Sequence, residues 1–123
     1  MLGFFERGQI VDLAVIFISR TSGLLIDPID PTVEISHYSG VDENIVLPET
    51  AITKILTRPV GYFTYEFIIP NTFNIDEVYY VRWRGLDPSL PLGSGKDIVE
   101  ETFKVVAPSG GNCCGLIPRF NKC

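Results

Sequence analysis

The chain has 123 residues, enough for one domain with its own hydrophobic core and too few for two. A hydrophobic share of 46% excludes a disordered chain. Acids outnumber bases 15 to 10, which argues against bulk attraction to nucleic acid, and a single His removes most imidazole-based acid–base and metal chemistry.

Residues 1–8 lack the basic start and apolar run of a signal peptide. The longest uninterrupted apolar run, Leu13 to Ile18, is far short of a membrane-spanning helix. Synthesis in a cytosol, with no membrane partner, is the expectation. From Gln9 to Ser19 the chain alternates, placing Val11, Leu13, Val15 and Phe17 on one face. The other face carries Asp12, Ala14, Ile16 and Ile18. A strand apolar on both sides is central in a stack or covered by another chain. Arg20 to Gly23 reads as a turn, Leu24 to Ile26 as a short apolar stretch, and Asp27-Pro28-Ile29-Asp30-Pro31 as a break in regular structure.

Thr32 to Tyr38 alternates again, with Val33 and Ile35 inward and Glu34 and Ser36 outward. After a loop at Ser39 to Asn44, Ile45–Leu47 and Ile52–Leu56 are short strand candidates divided by Pro48. Gly61 to Ile69 is a strong strand with Phe63, Tyr65, Phe67 and Ile69 on one face. Val78 to Arg84 points Tyr79, Val81 and Trp83 inward and Tyr80, Arg82 and Arg84 outward. A Pro/Gly/Ser loop, Gly85 to Lys96, leads to a closing strand, Asp97 to Val106, with Val99, Glu101, Phe103 and Val105 in phase. Ala107 to Gly111 is a linker and Asn112 to Cys123 a tail. No window shows helical spacing with caps. About seven short strands separated by turn signals predict an all-β antiparallel sandwich. Its expected core is Val11, Leu13, Val15, Phe17, Phe63, Tyr65, Phe67, Tyr79, Val81, Trp83, Phe103 and Val105. The predicted divisions are an N-terminal arm (1–8), the sandwich (9–106) and a C-terminal arm (107–123).

No catalytic, cofactor-binding or metal site is expected. His37 ends a strand in phase with Val33 and Ile35, without a second His or Cys nearby, and reads as structural. Asp27, Asp30, Asp42 and Glu43 offer oxygens for Ca²⁺ if the fold gathers them, but Asp-Pro is also a common turn former. The doublets Asp76-Glu77 and Glu100-Glu101 point to opposite sides of a strand, so neither is a catalytic pair within itself. Leu92-Gly93-Ser94-Gly95-Lys96 lacks the spacing of a phosphate-binding loop, and Asp97 stands where Ser or Thr is needed. Arg82 and Arg84 read either as a basic stripe or as solvated guanidiniums flanking a buried Trp.

All three cysteines, Cys113, Cys114 and Cys123, lie in the last eleven residues. They read as free thiols, as bridges to neighbouring chains, or as part of a shared metal or lipid site; they are candidates for inter-chain crosslinks. The tail carries Arg119 and Lys122 and no acid, so the acidic excess sits wholly on the body. Such a tail suits contact with an identical neighbour. Leu2, Phe4 and Phe5 at one end, with Leu116, Ile117 and Phe120 at the other, have no periodic partner and are the expected assembly contacts.

The run GQIVDLAVIF, then GYFTYEFIIP, YYVRW and VEETFKVV, resembles the small Ig-like β-sandwich domains of tailed-bacteriophage virion proteins and bacterial surface proteins. The antibody-type disulfide is absent. The resemblance covers about residues 8 to 106 and implies fold more than function. It implies a non-enzymatic virion subunit made in the host cytoplasm: a capsid decoration or cement protein, or a neck, collar or tail component. Other virion proteins and copies of itself are the implied partners, in a homo-oligomer. A cell-surface Ig-like module that binds glycan or protein is the alternative; an exposed Trp83 would favour it.

Overall fold

Alternating side chains lay down seven β-strands in the computed structural model, which describes residues 2–91, 93 and 95–108. They are β1 (Gly3–Glu6), β2 (Ile10–Ile16), β3 (Ile29–Ser39), β4 (Asp42–Ala51), β5 (Tyr62–Ile68), β6 (Val78–Leu86) and β7 (Asp97–Val106). One sheet has five strands in the order β1-β7-β6-β3-β4, and the other pairs β2 with β5. All pairings are antiparallel except that of β1 with β7. The two sheets close as a β-sandwich, all-β as expected.

The core lies between them. Val11, Leu13, Val15 and Phe17 come from the β2 segment, and Phe63 comes from β5. Opposite stand Val33 and Ile35 of β3, Tyr79, Val81 and Trp83 of β6, and Phe103 and Val105 of β7, all buried. Trp83 sits between Val33 and Val99 in register and is wholly enclosed. Phe73, Tyr79 and Phe103 form a stack, with ring centroids 4.2 and 5.5 Å apart. Tyr65 and Phe67, expected in the core, are only partly buried: they pack against it from the two-stranded sheet, with the Phe67 ring 5.9 Å from that of Phe73. Ile52 and Phe73 join the core from segments outside the seven strands.

Four stretches depart from the sequence reading, the first being the expected loop at Ser39 to Asn44, which shrinks to a turn at Gly40 and Val41 because β3 runs to Ser39 and β4 starts at Asp42. Residues 3–6, expected within a free arm, form β1 along β7: Gly3 faces Phe103, and the Leu2 amide donates to the Thr102 carbonyl at 2.6 Å. Leu2 and Phe5 pack against the core, with the Phe5 and Phe103 rings 5.4 Å apart, while Phe4 is exposed. β3 begins at Ile29, inside the expected break, because a register shift absorbs Asp30 and Pro31 between the Ile29–Leu86 and Thr32–Arg84 pairs. β4 runs on through Pro48, whereas Ile52 to Leu56 form no strand. Pro48 is tolerated because β4 is an edge strand and Pro48 and Glu49 together oppose Glu34 in a bulge.

Gly61 fixes how β5 starts. Its φ is +83°, and its carbonyl accepts the Phe17 amide at 2.9 Å while its own amide donates to Asp27 Oδ1 at 2.7 Å. A Cβ there would stand 2.8 Å from the Phe17 carbonyl oxygen. Only glycine satisfies both the dihedral and the space.

Candidate functional site

β2 buries its odd-numbered side chains, so its even-numbered ones form the outer face of the two-stranded sheet. Across that face Ile10 stands opposite Ile68, Asp12 opposite Glu66, Ala14 opposite Thr64, and Ile16 opposite Tyr62. Ile10, Ile16, Ile18 and Ile68 are each more than half exposed. The face therefore has two apolar ends around an acidic middle. Asp12 directly opposite Glu66 is a like-charge cross-strand pair, which costs stability in an isolated sheet.

β2 is also open along one edge. The Phe17 amide donates to the Gly61 carbonyl, and the Gln9 carbonyl accepts the Ile69 amide, both at 2.9 Å. Backbone groups alternate along a strand, so odd residues face β5. The N–H and C=O groups of Asp12, Ala14 and Ile16 then face outward, where no described strand pairs with them. Beside that edge lies an open hollow between β2 and β7, lined by Ala14, Val15, Ile16, Tyr62, Val99 and Glu101. It is continued by a second hollow containing Ile18, Arg20, Asp97 and Ile98. Glu101 shares the inward phase of Phe103, and its buried Oε1 has no hydrogen-bond partner.

The outer face of the five-stranded sheet is built differently. Arg82 reaches Glu43, Glu100 (2.6 Å), Glu34 (3.4 Å) and the Tyr38 hydroxyl (3.3 Å). Arg84 lies 3.3 Å from Glu34, and Lys96 lies 3.2 Å from Glu49. The Ser36 hydroxyl, and then Arg82, hold the Glu43 carboxyl below its usual range; Thr32 and then Lys96 do the same for Glu49. Glu100 and Glu43 raise the Arg82 pKa further. Arg82 and Arg84 thus form neither a basic stripe nor a pair of solvated cations, because each is matched by carboxylates from neighbouring strands. Tyr80 packs edge-on against Tyr38, with centroids 5.4 Å apart.

The other singled-out residues do not converge. His37 lies against the Tyr79 ring at 5.1 Å, with Nδ1 3.9 Å from Glu77. Asp27 is engaged by the Gly61 amide and Lys54, which lower its pKa, while Glu43 belongs to the Arg82 network. Among the described residues no group of three or more His, Cys, Asp or Glu is placed to hold a metal ion. Cys113, Cys114, Cys123, Leu116, Ile117 and Phe120 lie outside the described residues.

Sequence reading missed two features. One is a buried polar knot: Ser19 Oγ donates to Asp87 Oδ2 at 2.8 Å, and Ser89 donates from its amide and hydroxyl to Asp87 Oδ1 at 2.9 and 2.6 Å. These bonds, Ser89 foremost, keep the Asp87 carboxyl below its usual range. The knot ties the end of the β2 segment to the β6–β7 loop, and no local pattern announces contacts across 68 residues. The other is the open edge: the two-sided apolarity of β2 is legible, but its pairing is not. Comparison with known proteins finds no match, neither a family model, nor a curated protein, nor a solved structure.

Proposed function

We propose that the chain is an Ig-like structural subunit of a tailed-phage virion, without catalytic activity, that works by binding other virion proteins and copies of itself. The observation that carries this reading is the outer face of β2 and β5, where Ile10, Ile16 and Ile68 are exposed on a regular sheet and Ile18 is exposed just beyond its end. A soluble domain rarely leaves such a face uncovered without a partner for it.

The Ig-like assignment has two supports. Read as A′, B, C, C′, E, F and G, the seven strands place GFCC′ against BE, the variable-type arrangement reduced by its D and C″ strands. At the start of β6, Tyr79 Oη accepts the amide of Asn74, five residues upstream, at 2.8 Å. This is the geometry of a tyrosine corner, and Val81 stands two residues on, where antibody domains carry Cys. The competing reading, a surface module stacking ligands on aromatic side chains, loses its main tool because Trp83 is enclosed.

The test is composition. Mass spectrometry of gradient-purified particles should find the chain in fixed ratio to the major structural proteins, and particles that lack it overturn the assignment. Ile16→Ser with Ile68→Ser should lower that ratio without unfolding the domain.

A further inference from the structure

We infer that the open edge of β2 pairs antiparallel with β2 of a second copy, about a two-fold axis at Ala14, joining two β2–β5 sheets into one four-stranded sheet. The inference rests on reading the β2/β5 face as an assembly surface and names its partner.

The first argument is how the edges are guarded. Unpaired strand edges invite pairing, and proteins blunt them with Pro, bulges, charge or shortness. β4 carries Pro48 and two register shifts. β1 is four residues long. On β5, Lys54 bonds the Tyr62 carbonyl at 3.4 Å. β2 runs seven residues with an unbroken register, no Pro and one charge, Asp12. The hollow beside Ala14, Val15 and Ile16 leaves room for an added strand.

The second argument is self-complementarity of charge. Strand pairing about Ala14 sets Asp12 beside Ile16 of the second copy and Ile10 beside Ile18 of the second copy. The smallest side chain of the strand falls on the axis. The two Asp12 carboxylates end about four residues apart along the strand, roughly 13 Å, beyond a Debye length of about 8 Å. An axis at Asp12 would set them face to face, so charge selects the register. Because the backbone groups of Ala14 face the edge, Ala14 would make a hydrogen-bonded pair with itself, with Cα atoms about 5.5 Å apart. Ile68 and Ile10 of one copy then fall in a cross-strand row with Ile18 of the other, and the two-fold axis repeats that row at the opposite end of the joined sheet.

Sedimentation equilibrium of the full chain under reducing conditions should give a dimer. Ala14→Pro deletes an amide that faces the edge and leaves the β2–β5 ladder whole. It should raise the dissociation constant about 30-fold by removing one hydrogen bond from each copy. Ala14→Lys, which keeps the amide and sets like charges on the axis, should weaken the dimer in the same direction while thermal unfolding remains cooperative. In a Cys113→Ser, Cys114→Ser, Cys123→Ser background, Ala14→Cys should cross-link under mild oxidation and Ile10→Cys should not, since only the former meets its own copy within disulfide reach. A wild-type chain that stays monomeric, a dimer untouched by Ala14→Lys, or cross-linking at position 10 in place of 14 overturns the inference. So does a dimer lost when the chain is cut after Pro108, which would give the edge to residues 109–123. A monomeric chain still present in particles sinks the dimer and leaves the virion role standing; a dimer absent from particles does the reverse.

Discussion

The two outer faces of the sandwich solve opposite problems. On the five-stranded sheet, Arg82, Arg84 and Lys96 stand among Glu34, Glu43, Glu49 and Glu100, so each cation is paired within the face. On the two-stranded sheet, isoleucines stand exposed and Asp12 faces Glu66, with no cation among the described residues paired to either. One face has its charges already paired, and the other leaves isoleucines and a like-charge pair open, which is the face proposed above to meet a partner. A charged surface therefore need not mark a binding site: here the internally matched charges belong to the self-sufficient face.

The comparison breaks most completely if the wall between the faces is removed. Trp83→Ala should cost about 3–5 kcal/mol, a large part of the roughly 5–15 kcal/mol that holds a domain of this size. Urea denaturation should show the midpoint collapse, and an unchanged midpoint would mean that Trp83 does not centre the core. Gly61→Ala forces a Cβ against the Phe17 carbonyl at a positive φ. About 1–3 kcal/mol of strain is expected, read as a lower melting temperature.

Arg82→Met tests self-sufficiency on the charged face. It leaves three carboxylates without their shared cation, for a loss on the order of 1–2 kcal/mol in this partly buried setting. A paired Glu43→Gln substitution should recover part of it. Four carboxylates, Glu43 and Glu49 on this face and Asp27 and Asp87 away from it, predict a pH dependence. Asp27, Glu43, Glu49 and Asp87 are more acidic when folded than when unfolded. Their contribution is present above the unfolded carboxylate range, near pH 4–5, and is lost as pH falls through the lowered folded values. Urea midpoints measured at successively lower pH should therefore fall from about pH 5 downward, and a midpoint that rises on acidification would contradict these assignments. On the apolar face, Ile68→Ser should change monomer stability by less than about 0.5 kcal/mol while reducing assembly. A large loss of stability there would place Ile68 in the core.

Period-two alternation made most of the fold legible. Val11, Leu13, Val15 and Phe17, and Tyr79, Val81 and Trp83, are assigned inward by pattern alone and are buried. Alternation failed where pairing partners decide. Gly3 to Glu6 look unattached in sequence because their ladder lies a hundred residues away on β7. Pro48 ends a strand only when its missing amide is needed, and at an edge it is not. The doubly apolar character of β2 is visible in its alternation, but whether a neighbouring strand covers its edge depends on the order of strands, which no local pattern encodes.

The parallel pairing of β1 with β7 has a mechanical consequence. Gly3 lies beside Phe103 and Glu6 beside Val106, so the two strands run side by side in the same direction. Tension applied backward on β1 and forward on β7 acts along the ladder and loads its hydrogen bonds together, in shear. A hairpin pulled from its open end would release them one at a time. A subunit held at both ends would meet traction with its whole terminal ladder at once.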